Sequence, residues 1–99
     1  MAVVAHVVLA GLSQEDHDAV REATGWLKEP PAGGLSHLTQ WEGEDCHNVD
    51  AWESEQAFGE FGQQRLAAGM AKAGVEAELR VTFHPAHEVY VPQAVTITA

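Results

Sequence analysis

Six histidines and a single cysteine, Cys46, occur in this chain of 99 residues. Imidazole is the side chain whose unperturbed proton affinity lies nearest neutrality, so proton-transfer chemistry is sought first at the histidines. His37 alternates with Leu35, Thr39 and Trp41 on one face of an extended segment. It is the first candidate for a general base, with core packing or a dimer contact as the alternative. His6 interrupts the apolar run Val3-Val4-Ala5-His6-Val7-Val8-Leu9 and needs a hydrogen-bond partner wherever it is buried. It either lines a pocket or is a satisfied structural histidine. Asp50 lies between Val49 and Ala51, so its side chain points away from theirs and shares a face with Asn48 and Trp52. A carboxylate there can orient a histidine and favour its protonated form, or it can pair with Arg65 or Arg80. His37, His6 and Asp50 are therefore the candidate catalytic residues.

The other histidines read differently. His17 sits among the acids of a helix first turn and is expected to be solvated. His47 neighbours Cys46, but successive strand residues face opposite ways, so the pair is no zinc motif. His84-Pro85-Ala86-His87 has a ligand-like spacing only on a helix, which Pro85 opposes. A metal site assembled from His6, His37, Asp50 and His84 on one sheet face is an alternative that imidazole and carboxylate chemistry allows, although no short ligand spacing supports it. Candidate substrate-binding residues are Trp26, Trp41, Asn48, Trp52, Phe58, Phe61, Arg65 and Phe83. The aromatic members can stack on a planar ligand. Arg65 falls on the apolar line of a helix, where it must either pair internally or hold an anionic oxygen.

These residues need a scaffold, and the length implies one domain spanning residues 1–99, large enough for a core without disulfide or metal staples. Apolar residues make up 45% of the chain and charged residues 20%, as in ordinary globular proteins. The net charge of −10 repels phosphate polyanions and anionic lipid, which argues against nucleic-acid and membrane partners. The apolar stretch from Ala2 to Leu12 is too short to span a bilayer and lacks a basic flank, so it reads as a first strand. One cysteine allows no internal disulfide and points to a reducing compartment, the cytoplasm by default.

Residues Val3 to Leu9 form the first strand, rich in β-branched residues and apolar on both faces. Ser13 and Asp16 resemble a capping box. Ala19, Val20, Ala23, Trp26 and Leu27 continue at helical spacing, which predicts a helix running to Lys28 and stopped by Pro30-Pro31. Leu35 to Glu42 and Asp45 to Trp52 are strand-length segments joined by Gly43-Glu44, a hairpin. Ser54 opens a second helix with the inner line Phe58, Phe61, Gly62, Arg65, Leu66, Gly69, Met70 and Ala73, closed at Gly74-Val75. Glu78 to His84 alternates as a half-buried strand that Pro85 ends or kinks. His87 to Val91 is expected to continue it, and Gln93 to Ala99 to extend it or swap onto a partner. The order is that of a ferredoxin-like βαββαβ fold, α+β with a four-stranded antiparallel sheet. Its two helices cover one sheet face and leave the other for a second copy of the chain.

The run Val49-Asp50-Ala51-Trp52-Glu53-Ser54-Glu55-Gln56-Ala57-Phe58-Gly59-Glu60-Phe61 resembles the third-strand-to-second-helix junction of the dimeric α+β barrel superfamily, which includes the antibiotic-biosynthesis monooxygenase-like proteins. Gly34-Leu35-Ser36-His37 and Ala73-Gly74-Val75 extend the resemblance over nearly the whole chain. It implies a homodimer whose two sheets form a barrel, with a largely apolar cleft in each subunit for a hydrophobic small-molecule ligand. It also implies a cofactor-independent, monooxygenase-like enzyme that removes a proton from an aromatic or polyketide-like substrate with histidine assistance. Isomerisation or cyclisation could use the same base. The alternatives are a non-enzymatic ligand-binding or regulatory dimer and a histidine-rich metal-binding protein. The superfamily's haem-degrading branch calls for an axial histidine in the second helix, and none occurs between Ser54 and Ala73.

Overall fold

A computed structural model describes residues 1–93 and 95–97. It contains β1 (Val3–Ala10), α1 (Gln14–Thr24), β2 (Gly34–Glu42), β3 (Asp45–Trp52), α2 (Glu55–Phe61), a π-helical turn (Gly62–Leu66), α3 (Ala67–Ala73) and β4 (Glu78–Pro85). The strands form one antiparallel sheet in the order β2-β3-β1-β4. This is the ferredoxin-like arrangement that the order of elements predicts.

Register decides which residues meet. Val7 lies between Asn48 and Val81, and Ala5 between Asp50 and Phe83. On the outer strand β2, His37 pairs with Asp50 and Thr39 with Asn48. Because strand side chains alternate, His37, Thr39 and Trp41 join Asp50, Asn48, Ala5 and Val7 on the face that the helices cover. His6, His47, Arg80 and His84 fall on the opposite face. The core sits under the helices, where Ala5, Val7, Leu9, Leu12, Val20, Cys46, Trp52, Phe58 and Val75 are buried.

The first helix is shorter than the periodicity predicts. Ser13 caps its start by accepting from the Asp16 backbone N–H at 3.0 Å. Its end comes at Gly25, whose φ of 69° is the left-handed conformation that glycine adopts at least cost. Trp26, Leu27 and Lys28 therefore lie in a turn beyond the helix, and that turn delivers the Trp26 indole to the sheet face.

The second helix, expected as one unbroken α-helix, is interrupted by the π turn. There the Ala67 N–H bonds back to the Gly62 carbonyl, five residues away. Gly59 and Gly62 flank the end of α2, and glycine weakens α-helical pairing most among residues other than proline. Ser54 caps the start as predicted, and Gly74 ends α3 in the left-handed conformation with Val75 buried behind it.

No strand follows Pro85 among the described residues, so the expected continuation at His87 to Val91 is absent, and Tyr90 there is 81% exposed. The proline fills the last strand position, and the chain leaves the sheet after it. Of the segment Gln93 to Ala99, residues Ala94, Thr98 and Ala99 lie outside the described residues, while Val95 to Ile97 are not in a strand.

Helix α3 rests on the end of α1 through Gly69. A Cβ built there would collide with the Thr24 side chain and lie 3.2 Å from the Thr24 backbone nitrogen. Backbone cannot yield as a flexible side-chain tip can. Gly69→Ala is therefore expected to lower stability by about 1–3 kcal/mol, read as a lower midpoint in urea unfolding; an unchanged midpoint would show that the two helices do not approach this closely.

Candidate functional site

Between the sheet and the helices lies a cavity of about 780 Å³. Its floor is the helix-facing side of β1, β2 and β3, and a continuous polar network crosses that floor. Asp50 is 7% exposed. His37 Nδ1 is 2.6 Å from Asp50 Oδ1, and the Trp52 indole N–H donates to Asp50 Oδ2 at 3.4 Å. At the far side of the imidazole, Nε2 lies 3.1 Å from Thr39 Oγ1. The Thr39 hydroxyl in turn lies 2.8 Å from Asn48 Oδ1.

Counting protons restricts the states of this network. A carboxylate only accepts, so the proton between His37 and Asp50 is carried on Nδ1. Nε2 is then the basic end of a neutral His37. Thr39 has one hydroxyl proton, which goes either to Nε2 or to Asn48. If it goes to Asn48, Nε2 must itself be a donor and His37 is an imidazolium. If it goes to His37, the Asn48 amide turns its NH₂ toward the Thr39 oxygen. The network can therefore hold His37 neutral or protonated with every contact satisfied, as a residue that takes up and returns a proton requires.

Aromatic rings build the walls. Trp26 meets His37 edge-on with ring centroids 5.3 Å apart, and Trp26 and Phe61 are 6.4 Å apart. Trp52 contacts both Phe58 and Phe61 at 5.5 Å. Of the eight residues expected to bind substrate, Trp26, Trp41, Asn48, Trp52, Phe58 and Phe61 line the cavity. Phe83 does not; it packs behind Phe58, with centroids 5.5 Å apart. Arg65 does not either. Its guanidinium donates to the Thr24 carbonyl at 3.0 Å and lies 5.6 Å above the Phe61 ring. Thr24 ends α1, where carbonyls lack intrahelical partners and a cation is favoured, so Arg65 satisfies a helix end.

His6 is not part of this site. It lies on the opposite sheet face, with Nε2 3.1 Å from His47 Nδ1, and His47 Nε2 is 3.2 Å from Glu42 Oε2. The same alternation separates His6 and His84 from His37 and Asp50, which removes the four-residue metal site expected on one face. Among the described residues no cluster of three or more potential ligands has metal-binding geometry. Asp50 pairs with neither arginine: Arg80 lies exposed on the other face beside Glu78.

Two polar groups of the site escaped sequence reasoning. Thr39 lies two residues along the strand from His37, and that spacing alone puts it on the same face. His17, expected to be solvated, has a side chain only 12% exposed and lines the cavity. Its ring lies 6.1 Å from Trp26 and 6.0 Å from Trp41. The legible signal was its position three residues before the buried Val20, on the helix's inner line.

No protein-family model matches the chain, and no curated protein matches it. Solved structures do. A monooxygenase from the ActVA-Orf6 gene of Streptomyces coelicolor, in complex with nanaomycin D, superposes with a TM-score of 0.59 at 24% identity over 93% of each chain. SnoaB, a cofactor-independent oxygenase from Streptomyces nogalater, gives 0.63 at 12% identity over 93% of this chain and 98% of its own. The fold is that of the antibiotic-biosynthesis monooxygenase-like proteins. A protein of Deinococcus radiodurans assigned to those monooxygenases matches with 0.55 at 17% identity, over 93% of this chain and 99% of that one. No helix among the described residues is long and apolar enough to cross a membrane.

Cys46, wholly buried beside the network, has its thiol pushed up from 9.0 to about 11 by burial, because the thiolate would lose its hydration. It is expected to resist Ellman's reagent at pH 8 in the folded protein and to react fully in denaturant. The sign for stability follows: the unfolded thiol ionises first, so folding weakens as pH rises from 9.0 toward 11. Rapid native labelling would show that the β3 core opens readily.

Proposed function

We propose that the chain is a small oxygenase that acts on a planar, hydrophobic aromatic or polyketide-like molecule, with His37 as the general base. The observation that carries this reading is the Trp52, Asp50, His37, Thr39 and Asn48 network on the floor of an aromatic-walled cavity. Asp50 orients the imidazole and stabilises the imidazolium that forms when Nε2 takes an acidic substrate proton. The rings around the cavity limit water access, so the resulting carbanion or phenolate meets dioxygen in a weakly solvating environment. Likeness to a cofactor-independent oxygenase and to a monooxygenase in complex with nanaomycin D supports this chemistry.

Anthrone tests the reaction, because its tricyclic enolate is electron-rich and its conversion is balanced: anthrone plus dioxygen gives anthraquinone plus water. His37→Ala is expected to lower the rate of oxygen uptake about 10²- to 10⁴-fold, the range for loss of a general base. Asp50→Asn, which keeps the imidazole but removes the carboxylate, is expected to be impaired less severely. A full rate in His37→Ala would remove the assigned base, and no uptake by the unaltered protein would favour the ligand-binding reading.

We also propose that the functional unit is a homodimer. The sheet face away from the helices carries Val4, Val8 and Val49, and the neighbouring Leu38 is 69% exposed. Burying that face against a second copy removes an apolar surface from water and closes isologously. Native mass spectrometry is expected to give a dimer, and Val49→Glu, which places a charge at its centre, a folded monomer. A monomer in the unaltered chain would refute the assembly.

A further inference from the structure

Two residues of helix α1 in the cavity wall each carry a buried side-chain nitrogen that has no partner. Among the described residues, His17 Nε2 and Arg21 Nε are the buried side-chain nitrogens left without a hydrogen bond. Both residues line the cavity, one helical turn apart on the same face. Buried polar atoms in native proteins are overwhelmingly satisfied, so two orphans on residues of one cavity wall call for a polar partner there.

The neighbours of each residue restrict the hydrogen-bonding character of the two atoms. His17 Nδ1 lies 3.1 Å from Asp18 Oδ1, and a carboxylate only accepts, so the ring proton is carried on Nδ1. In the neutral ring Nε2 is then an acceptor. Arg21 Nε always carries its hydrogen and is a donor. Glu22 Oε1 is 3.7 Å from it, beyond hydrogen-bond distance, while Arg21 NH1 lies 3.4 Å from Asp18 Oδ1. An acceptor and a donor on residues one helical turn apart match a hydroxyl group, which gives its proton to one and receives from the other. An ether oxygen can only receive, and a carbonyl likewise.

We propose that His17 and Arg21 form a hydroxyl-reading subsite on the α1 wall of the cavity, selecting ligands that carry a phenolic OH there. This rests on the cavity being the ligand site and adds a second polar anchor, remote in sequence from the His37 network. Trp26 meets the His17 ring at 66° and Trp41 meets it at 79°, both edge-on, and together they shield Nε2. Seating a hydroxyl at Nε2 therefore displaces an indole, and Trp26 is the one carried by a turn rather than by a strand.

The probes are 2-naphthol and 2-methoxynaphthalene, which differ in the one proton at issue. Calorimetric titration of the unaltered protein is expected to show 2-naphthol binding about tenfold tighter than the ether, the effect of one partly buried hydrogen bond. His17→Phe is expected to abolish that preference, while His17→Gln, which retains an acceptor, keeps part of it. In protein labelled with ¹⁵N-histidine, the lone-pair nitrogen resonance of His17 should move with 2-naphthol and not with the ether. That second readout needs no variant to fold. If both compounds bind equally and the His17 resonance is unmoved, or only His37 responds, the subsite is wrong while the cavity stands. If neither compound binds, the cavity reading and the subsite fall together.

Discussion

A carboxylate buried in a β-sheet must be given hydrogen bonds, and that requirement at Asp50 organises the rest of this molecule. Its oxygens are met by the His37 imidazole at 2.6 Å and the Trp52 indole at 3.4 Å. Removing either partner would leave a buried charge under-solvated. The demand fixes the imidazole's tautomer, and the tautomer makes Nε2 the working end of the ring. It also fixes the register of the outer strand β2, because His37 reaches Asp50 only when the two residues are opposite each other.

The sheet keeps two histidine chemistries apart by alternation alone. On the helix side, His37 is linked through Thr39 to Asn48 in a cavity built from aromatic rings. On the other side, His6, His47 and Glu42 form their own chain of contacts. His6 and Ala5 are adjacent in sequence, yet Ala5 belongs to the core beneath the cavity and His6 does not. A single-residue slip of β1 would exchange them and bury an imidazole where the core requires a small side chain.

Helix ends matter to this site as much as helix faces. Gly25 stops α1 a turn before the pattern of apolar residues would, and so Trp26 reaches the His37 ring. Arg65, on a neighbouring helical segment, satisfies the carbonyl of Thr24 at that same end. Gly69 lets α3 close down on Thr24, so one helix terminus is secured by a hydrogen bond, a close approach and a left-handed turn. The loop carrying Trp26 is thereby anchored at its start.

Strand alternation, the Ser13 and Ser54 caps and the hairpin turn at Gly43-Glu44 are local, and they sufficed to establish the βαββαβ order, the face that His37 shares with Thr39 and Trp41, and the face that Asp50 shares with Asn48 and Trp52; that these two sets meet is decided by the β2–β3 register. The local features depend on bond geometry within a few residues, which a sequence carries directly. The partner of Arg65, the burial of His17 and the separation of His6 from His37 depend instead on how elements distant in the chain are set against one another. Arg65 found a carbonyl rather than a carboxylate because the π-helical turn that carries it passes the end of α1. His17 left solvent because two tryptophans from different segments close over it. His6 left the site because strand pairing, which no local pattern specifies, decides which of two opposite faces each residue occupies.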